Sequence, residues 1–113
     1  MDCLFCKIAN KEMLTNLVLE NEHVVAFHDI RPVAPTHVLV IPRKHIARID
    51  EASPEDALVL GHTMLAARAI AEKFGLSKEG FRVVYNTGEH AGQSVFHIHA
   101  HVLGGRTLQW PPG

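Results

Sequence analysis

The sequence is poor in aromatic residues, in charge of either sign and in cysteine. Its 113 residues are 6% aromatic, with a formal net charge of −1 and two cysteines. Near-neutrality excludes the broad basic surface that nucleic acid or an anionic membrane would favour. The longest apolar runs are strand-sized, so no membrane span is expected. Met1-Asp2-Cys3 does not read as the basic start of a secretory signal, and a cytoplasmic location is the default expectation. The two cysteines form one Cys-x-x-Cys pair, Cys3 and Cys6. In a reducing compartment such a pair points to a metal or redox site rather than a structural disulfide. Redox chemistry of the thioredoxin kind would place the pair after a strand, and none precedes it here.

What is abundant is histidine, nine in all, in a chain otherwise ordinary for a globular protein at 47% hydrophobic and 20% charged. A chain of this length is expected to form a single domain, residues 1–113. It should bury roughly two-thirds of its unfolded surface, enough to fold unaided. No repeat, linker or low-complexity run interrupts it.

Residues 2–10, "DCLFCKIAN", predict a short helix capped by Asp2, with Leu4, Phe5 and Ile8 on one face. "NLVLE" (16–20) and "HVVAFHD" (23–29) read as a hairpin, and "THVLVIP" (36–42) as a third strand after the proline-rich "RPVAP". The clearest element is a long helix. Ser53 caps it, Pro54 opens it and Asp56 completes a capping-box pattern. Leu60, Met64, Ala67, Ala71 and Phe74 recur at helical spacing, and Gly75 ends the run. "FRVVYN" (81–86) and "SVFHIHAHVLG" (94–104) read as the last two strands. Strands in hairpin order with one long helix predict an α+β fold, a five-stranded antiparallel sheet with that helix on one face.

The last strand carries "HIHAH", residues 97–101. In a strand, positions i, i+2 and i+4 share a face. Neighbouring imidazoles then stand roughly 6.6 Å apart at their roots, too close for three cations, so most must be neutral. Three imidazoles on one face are costly packing for stability alone. A neutral imidazole can ligate metal or act as a nucleophile. Spacing leaves a zinc site and nucleophilic phosphoryl or nucleotidyl transfer comparable. The surroundings favour phosphate. Gly92, Gln93 and Ser94 offer a glycine loop with backbone amides and a hydroxyl, and Asn86 ends the neighbouring strand. Asp29 ends an earlier strand, where a carboxylate can accept from ribose hydroxyls, and His37 opens the third strand. His23, His62 and His90 read as solvent-facing.

"GQSVFHIHAHVLGG" resembles the signature of the histidine triad family. "AFHDIRPVAPTHVLVIPRKHI" and the closing "WPPG" resemble its Hint branch, the nucleotide-binding phosphoramidases. The resemblance runs from Cys3 to Gly113. It implies a homodimer whose two sheets join into one of ten strands. It implies hydrolysis of purine nucleoside 5′-phosphoramidates and aminoacyl-adenylates to the nucleoside monophosphate, with no catalytic cofactor. His99 then matches the nucleophile, His101 the residue that contacts the reacting phosphate, and His37 a histidine that supports the cluster. Asn86, Gln93 and Ser94 match phosphate and leaving-group contacts, Ser94 also standing among the candidate proton donors. Asp29 matches the ribose-binding acid. Phe5, Ile8, Phe27, His28 and Ile30 match the walls of the base pocket, and Trp110 a tryptophan that reaches toward the partner subunit's site.

Some bacterial members of this family carry structural zinc on two such cysteines, a histidine of the "RKH" segment and the first histidine of the triad. The resemblance therefore implies zinc on Cys3, Cys6, His45 and His97. Three other activities stay open at this point: a dinucleoside polyphosphate hydrolase of the Fhit type, a nucleotide-binding adaptor with vestigial catalysis, and a zinc hydrolase that uses the triad as ligands.

Overall fold

Strand β3 (Thr36–Pro42) is the centre of the molecule, and nearly all its residues are buried. In this computed structural model, which describes residues 3–113, it lies between β2 (Val24–His28) and β5 (Ala100–Gly104). β1 (Leu17–Glu20) and β4 (Phe81–Val84) form the two edges, giving the order β1-β2-β3-β5-β4. Every pairing is antiparallel. The α+β architecture expected from the sequence is the one observed.

The pleat divides the strand residues between two faces. Val24, Ala26, Val38, Val40, Ala100 and Val102 meet helix α2 (Ala57–Lys73) on one face. Val25, Phe27, Leu39 and Ile41 meet helix α1 (Leu4–Ala9) on the other. Register then fixes what shares the second face. Phe27 pairs with Leu39, Leu39 with His101, and His101 with Val84, in one row across four strands.

α2 is entered through a single 3-10 turn, Pro54–Asp56. Asp56 accepts from the Ser53 backbone amide at 3.0 Å in the capping box that the sequence predicts. Its other partner, Lys44, was not expected, and the pair holds its carboxyl below the usual range. At the far end Gly75 adopts φ +68°. The amides of Gly75 and Leu76 return to the carbonyls of Glu72 and Ala71, a left-handed stop that favours glycine.

The helix stripe is rotated from the expected one. Thr63, Ala66, Ala67, Ile70 and Ala71 face the sheet, while Met64 is 62% exposed. Small alanines bring the helix axis close to the sheet, and the bulkier Leu58, Met64 and Leu65 are left outside. Leu4 of α1 is likewise exposed, while Phe5 and Ile8 are buried as expected. Asp2, expected to cap α1, lies outside the described residues. Cys3 takes that position, its sulfur accepting from the Cys6 amide at 3.4 Å.

Candidate active site

The triad does not lie on one strand. β5 begins only at Ala100, so His101 is in the strand, His99 just before it and His97 in a bend. Ile98 N–H donates to the Ile46 carbonyl at 2.7 Å and ties this segment to the chain that follows β3. The expected strand over 94–104 is therefore shorter by its first six residues. Its alternation is satisfied by two separate burial sites, not by one pleated face.

The partners of each imidazole fix its tautomer. His37 Nδ1 accepts from Val33 N–H at 3.1 Å, so its proton sits on Nε2. That Nε2–H faces His101 Nδ1 at 2.9 Å, with an Asp29 oxygen farther off at 3.4 Å. His101 Nδ1 is thus an acceptor, and His101 keeps its proton on Nε2. His99 Nδ1 meets the His97 carbonyl at 2.9 Å. A carbonyl only accepts, so the neutral ring carries its proton on Nδ1 and a lone pair on Nε2. The rings of His99 and His101 lie 4.9 Å apart. Together they present one free lone pair and one uncharged donor.

Burial keeps the supporting rings neutral. It pushes the His101 pKa down to about 4, helped by His99 and His37 and opposed by Asp29. Burial also lowers His37, against the pull of Asp29. Phe5 stands edge-on to His99, with centroids 5.1 Å apart and planes at 88°, and edge-on to Phe27.

His97 turns the other way, into a cluster with Cys3, Cys6 and His45. Its Nε2 donates to the Pro42 carbonyl at 2.7 Å, which leaves the Nδ1 lone pair facing inward. That nitrogen lies 3.4 and 3.5 Å from the two sulfurs and 3.2 Å from His45 Nδ1, and Cys6 Sγ lies 3.3 Å from His45 Nδ1. Ligands about 2.0–2.3 Å from a common tetrahedral centre stand about 3.3–3.8 Å apart, so these edges suit one zinc-sized ion. Convergent sulfurs and a lone pair fixed inward are what a cation satisfies. Without one, burial and neighbouring Cys3 raise the Cys6 thiol, and burial lowers His97.

Asp29, His37 and His101 also converge. There the Val33 amide keeps the proton on His37 Nε2, the atom a metal would need, so this second group is a hydrogen-bond chain.

The remaining expected site residues divide. Asp29 Oδ1 accepts from Arg31 N–H at 2.7 Å, beside His37. Ser94 is exposed and Asn86 half-buried in the segments leading to the triad. Gln93 is buried and its amide is already engaged: Oε1 accepts from Gly88 N–H, and Nε2 donates to the Ala47 and Val95 carbonyls. It shapes the loop that leads to the triad. Phe5, Ile8 and Phe27 lie buried on the histidine side. His28 does not. It pairs with Val38 on the α2 face and packs edge-on against Phe74, so its side chain is not a wall of this site. Ile30 and Trp110 are exposed. His90 is exposed as expected, whereas His23 and His62 are half-buried and stack on each other at 3.8 Å. The Val33 amide and the Pro42 and His97 carbonyls were missed by sequence reasoning. Backbone groups carry no residue-type signal.

The HIT domain family matches residues 10–108. The chain belongs to the HIT domain family. It is similar to a HIT-like protein of Synechococcus elongatus, 48% identical over 112 residues that cover 99% of this chain and 97% of the relative. Among solved structures it is similar to a HIT family hydrolase from Legionella pneumophila. That match has a TM-score of 0.96 and 48% identity, covering 99% of this chain and all of the other. A histidine triad protein from Clostridium difficile gives a TM-score of 0.92 and 41% identity, over 96% and 95% of the two chains.

Proposed function

We propose that this HIT domain is a hydrolase of purine nucleoside 5′-phosphoramidates and aminoacyl-adenylates that works through a nucleotidyl-His99 intermediate. One observation carries the reading: the His97 carbonyl holds the His99 proton on Nδ1 and leaves Nε2 free to attack. The hydrolase described from Legionella pneumophila supports the reaction class.

In the first step His99 Nε2 forms a bond to the α-phosphorus and the phosphorus–nitrogen bond to the amine breaks. The amine leaves with a proton delivered from the site, for which Ser94 is the nearest hydroxyl in sequence. His101 Nε2–H donates to a phosphoryl oxygen as charge builds there. In the second step water attacks phosphorus, returns a proton to the group that protonated the amine, and the phosphorus–Nε2 bond breaks to release the nucleoside monophosphate and free His99. Asp29 accepts from the ribose, and Phe5, Ile8 and Phe27 cover the base. Cys3, Cys6, His45 and His97 would hold zinc, which supplies a structural cross-link between α1 and the sheet. The enzyme is read as a cytoplasmic homodimer.

The test is release of AMP from adenosine 5′-phosphoramidate by wild type and His99→Ala, with rapid quenching to trap the adduct. Wild type is expected to turn over and to carry adenylate on the peptide containing His99. The variant should lose on the order of a thousandfold or more in kcat. Equal release by both proteins would remove His99 from the reaction. Cleavage of diadenosine polyphosphates with no action on the phosphoramidate would move the chain to the Fhit type.

A further inference from the structure

We infer that the Cys3–Cys6–His45–His97 cluster is the positioning device of the nucleophile: closed around its metal, it fixes the tautomer of His99 through the His97 carbonyl. The inference rests on the reading of His99 as the attacking group.

His97 is one residue with two jobs facing opposite ways. Its ring belongs to the cluster, with Nδ1 turned to both sulfurs and to His45. Its carbonyl belongs to the reaction site and accepts the His99 Nδ1 proton at 2.9 Å. Between them the chain has little freedom. Nε2–H is tied to the Pro42 carbonyl, and the next amide, Ile98 N–H, to the Ile46 carbonyl, both at 2.7 Å. His97 is wholly buried. Ile98 N–H belongs to the same peptide as the His97 carbonyl, so its bond to Ile46 and the anchored His97 ring together set where the acceptor for His99 stands.

A second contact runs in parallel. Phe5 lies between the two cysteines in sequence, and its ring is edge-on to both His97 and His99. α1 is only six residues long, too short to hold itself helical without tertiary anchors. Cys3 at its cap and Cys6 in its first turn are two such anchors. The sulfurs that would hold the metal therefore also hold the ring that flanks His99.

Opening the cluster releases one of the two holds on the His97 ring and leaves the peptide behind it held through Ile98 alone. His99 then loses its fixed acceptor, and the tautomer with the proton on Nε2 gains population. That tautomer has no lone pair to offer phosphorus. Asp29, which would hold the ribose, lies in the turn after β2, away from the cluster, whereas Phe5 and Ile8 of α1, which would cover the base, pack with Cys3. Loss of the tautomer belongs in kcat, and loosening of α1 adds a smaller rise in KM. His97, Cys3, Cys6 and His45 are thus positioning residues. Outer partners of this kind typically alter activity about ten- to a hundredfold.

The experiment compares the zinc-loaded chain, the chain stripped by a strong chelator, the stripped chain after zinc is returned, and Cys3→Ser/Cys6→Ser. A thermal melt first establishes that each is folded. Long-range proton–nitrogen NMR of 15N-histidine protein then reads the His99 tautomer directly, with no substrate present. The expected result is a single Nδ1–H tautomer with zinc and a mixture without it. kcat should fall about ten- to a hundredfold, with the rise in KM smaller than the fall in kcat, and both signals should return with zinc. One unchanged tautomer and unchanged kcat after stripping would overturn the inference. So would a stripped chain that unfolds, since the cluster would then be a folding staple. A tautomer that responds to zinc in a protein inactive on phosphoramidates would uphold the positioning and refute the assigned reaction.

Discussion

His101 is the side chain on which the proposed chemistry and the stability of the site bear in opposite directions. Its proton is on Nε2 because His37 fills Nδ1, and burial keeps it neutral to about pH 4. An ordinary histidine titrates near pH 6.5. Between those values the unfolded chain binds a proton that the folded chain refuses. This contribution to stability is complete above about pH 6.5 and is lost as pH falls through about 4. The slope from one such site is at most about 1.4 kcal/mol per pH unit. Denaturant melts at about pH 5 and about pH 7 should show His101→Asn losing less stability over that interval than wild type. An equal loss in both would show that His101 titrates normally. The same variant removes a donor aimed at the phosphoryl oxygens, so kcat should drop about 100- to 1,000-fold.

At the scale of elements, regular patterns were legible and their rotation was not. "THVLVIP" is strand β3 to the residue, and Gly75 stops α2 where a left-handed residue was expected. "SVFHIHAHVLG" has the alternation of a strand, yet its first six residues lie outside β5, with Val95–His97 in a bend. Alternation reports that every second side chain is buried. It does not report that they are buried in the same place, and His97 and His99 are claimed by different partners. The helix was misread for the reverse reason. Ala67 and Ala71 are buried as expected, but Leu60 and Met64 outweigh alanine in apolar surface and tilt the expected stripe, while close approach to the sheet selects Thr63, Ala66 and Ile70 beside them. The site residues were legible by type through the family motif, but Gln93 and His28 show where type misleads about contact. The stripe actually buried is testable at Ile70, which has no exposed surface and packs against β2, β3 and β5. Ile70→Ala should cost about 2–5 kcal/mol by denaturant melt. Met64→Ala removes similar bulk from the outer side and should cost an isolated chain well under that. Comparable losses at both positions would mean that Met64 is covered in solution.

That comparison leads to the whole molecule. A compact monomer of this mass should expose about 6,200 Å². The chain exposes 7140 Å². The excess is of the order of the roughly 800 Å² that each partner contributes to a standard interface. Two features account for it in kind. Leu58, Met64 and Leu65 stand out from α2, and β4, like β1 at the other edge, pairs on one side only, which leaves open amides and carbonyls. Such an edge invites another strand. Trp110, 80% exposed, lies in the tail that the family resemblance directs toward a partner's site. A second copy joined through β4 would satisfy that strand edge and extend the sheet to the ten strands that the family resemblance implies. Light scattering should therefore give about twice the 12.5 kDa chain mass. Met64→Glu/Leu65→Glu places two charges on the apolar face and should shift the mass to one chain, since unpaired charges are costly to bury. The histidine chain and the metal cluster each lie within one chain, so the monomeric variant should still bind zinc and keep the His99 tautomer. Its turnover should fall only as far as Trp110 of the second copy contributes, which Trp110→Ala in the dimer measures separately. A wild type that scatters as a single chain would refute the ten-stranded sheet and leave α2 needing a different cover.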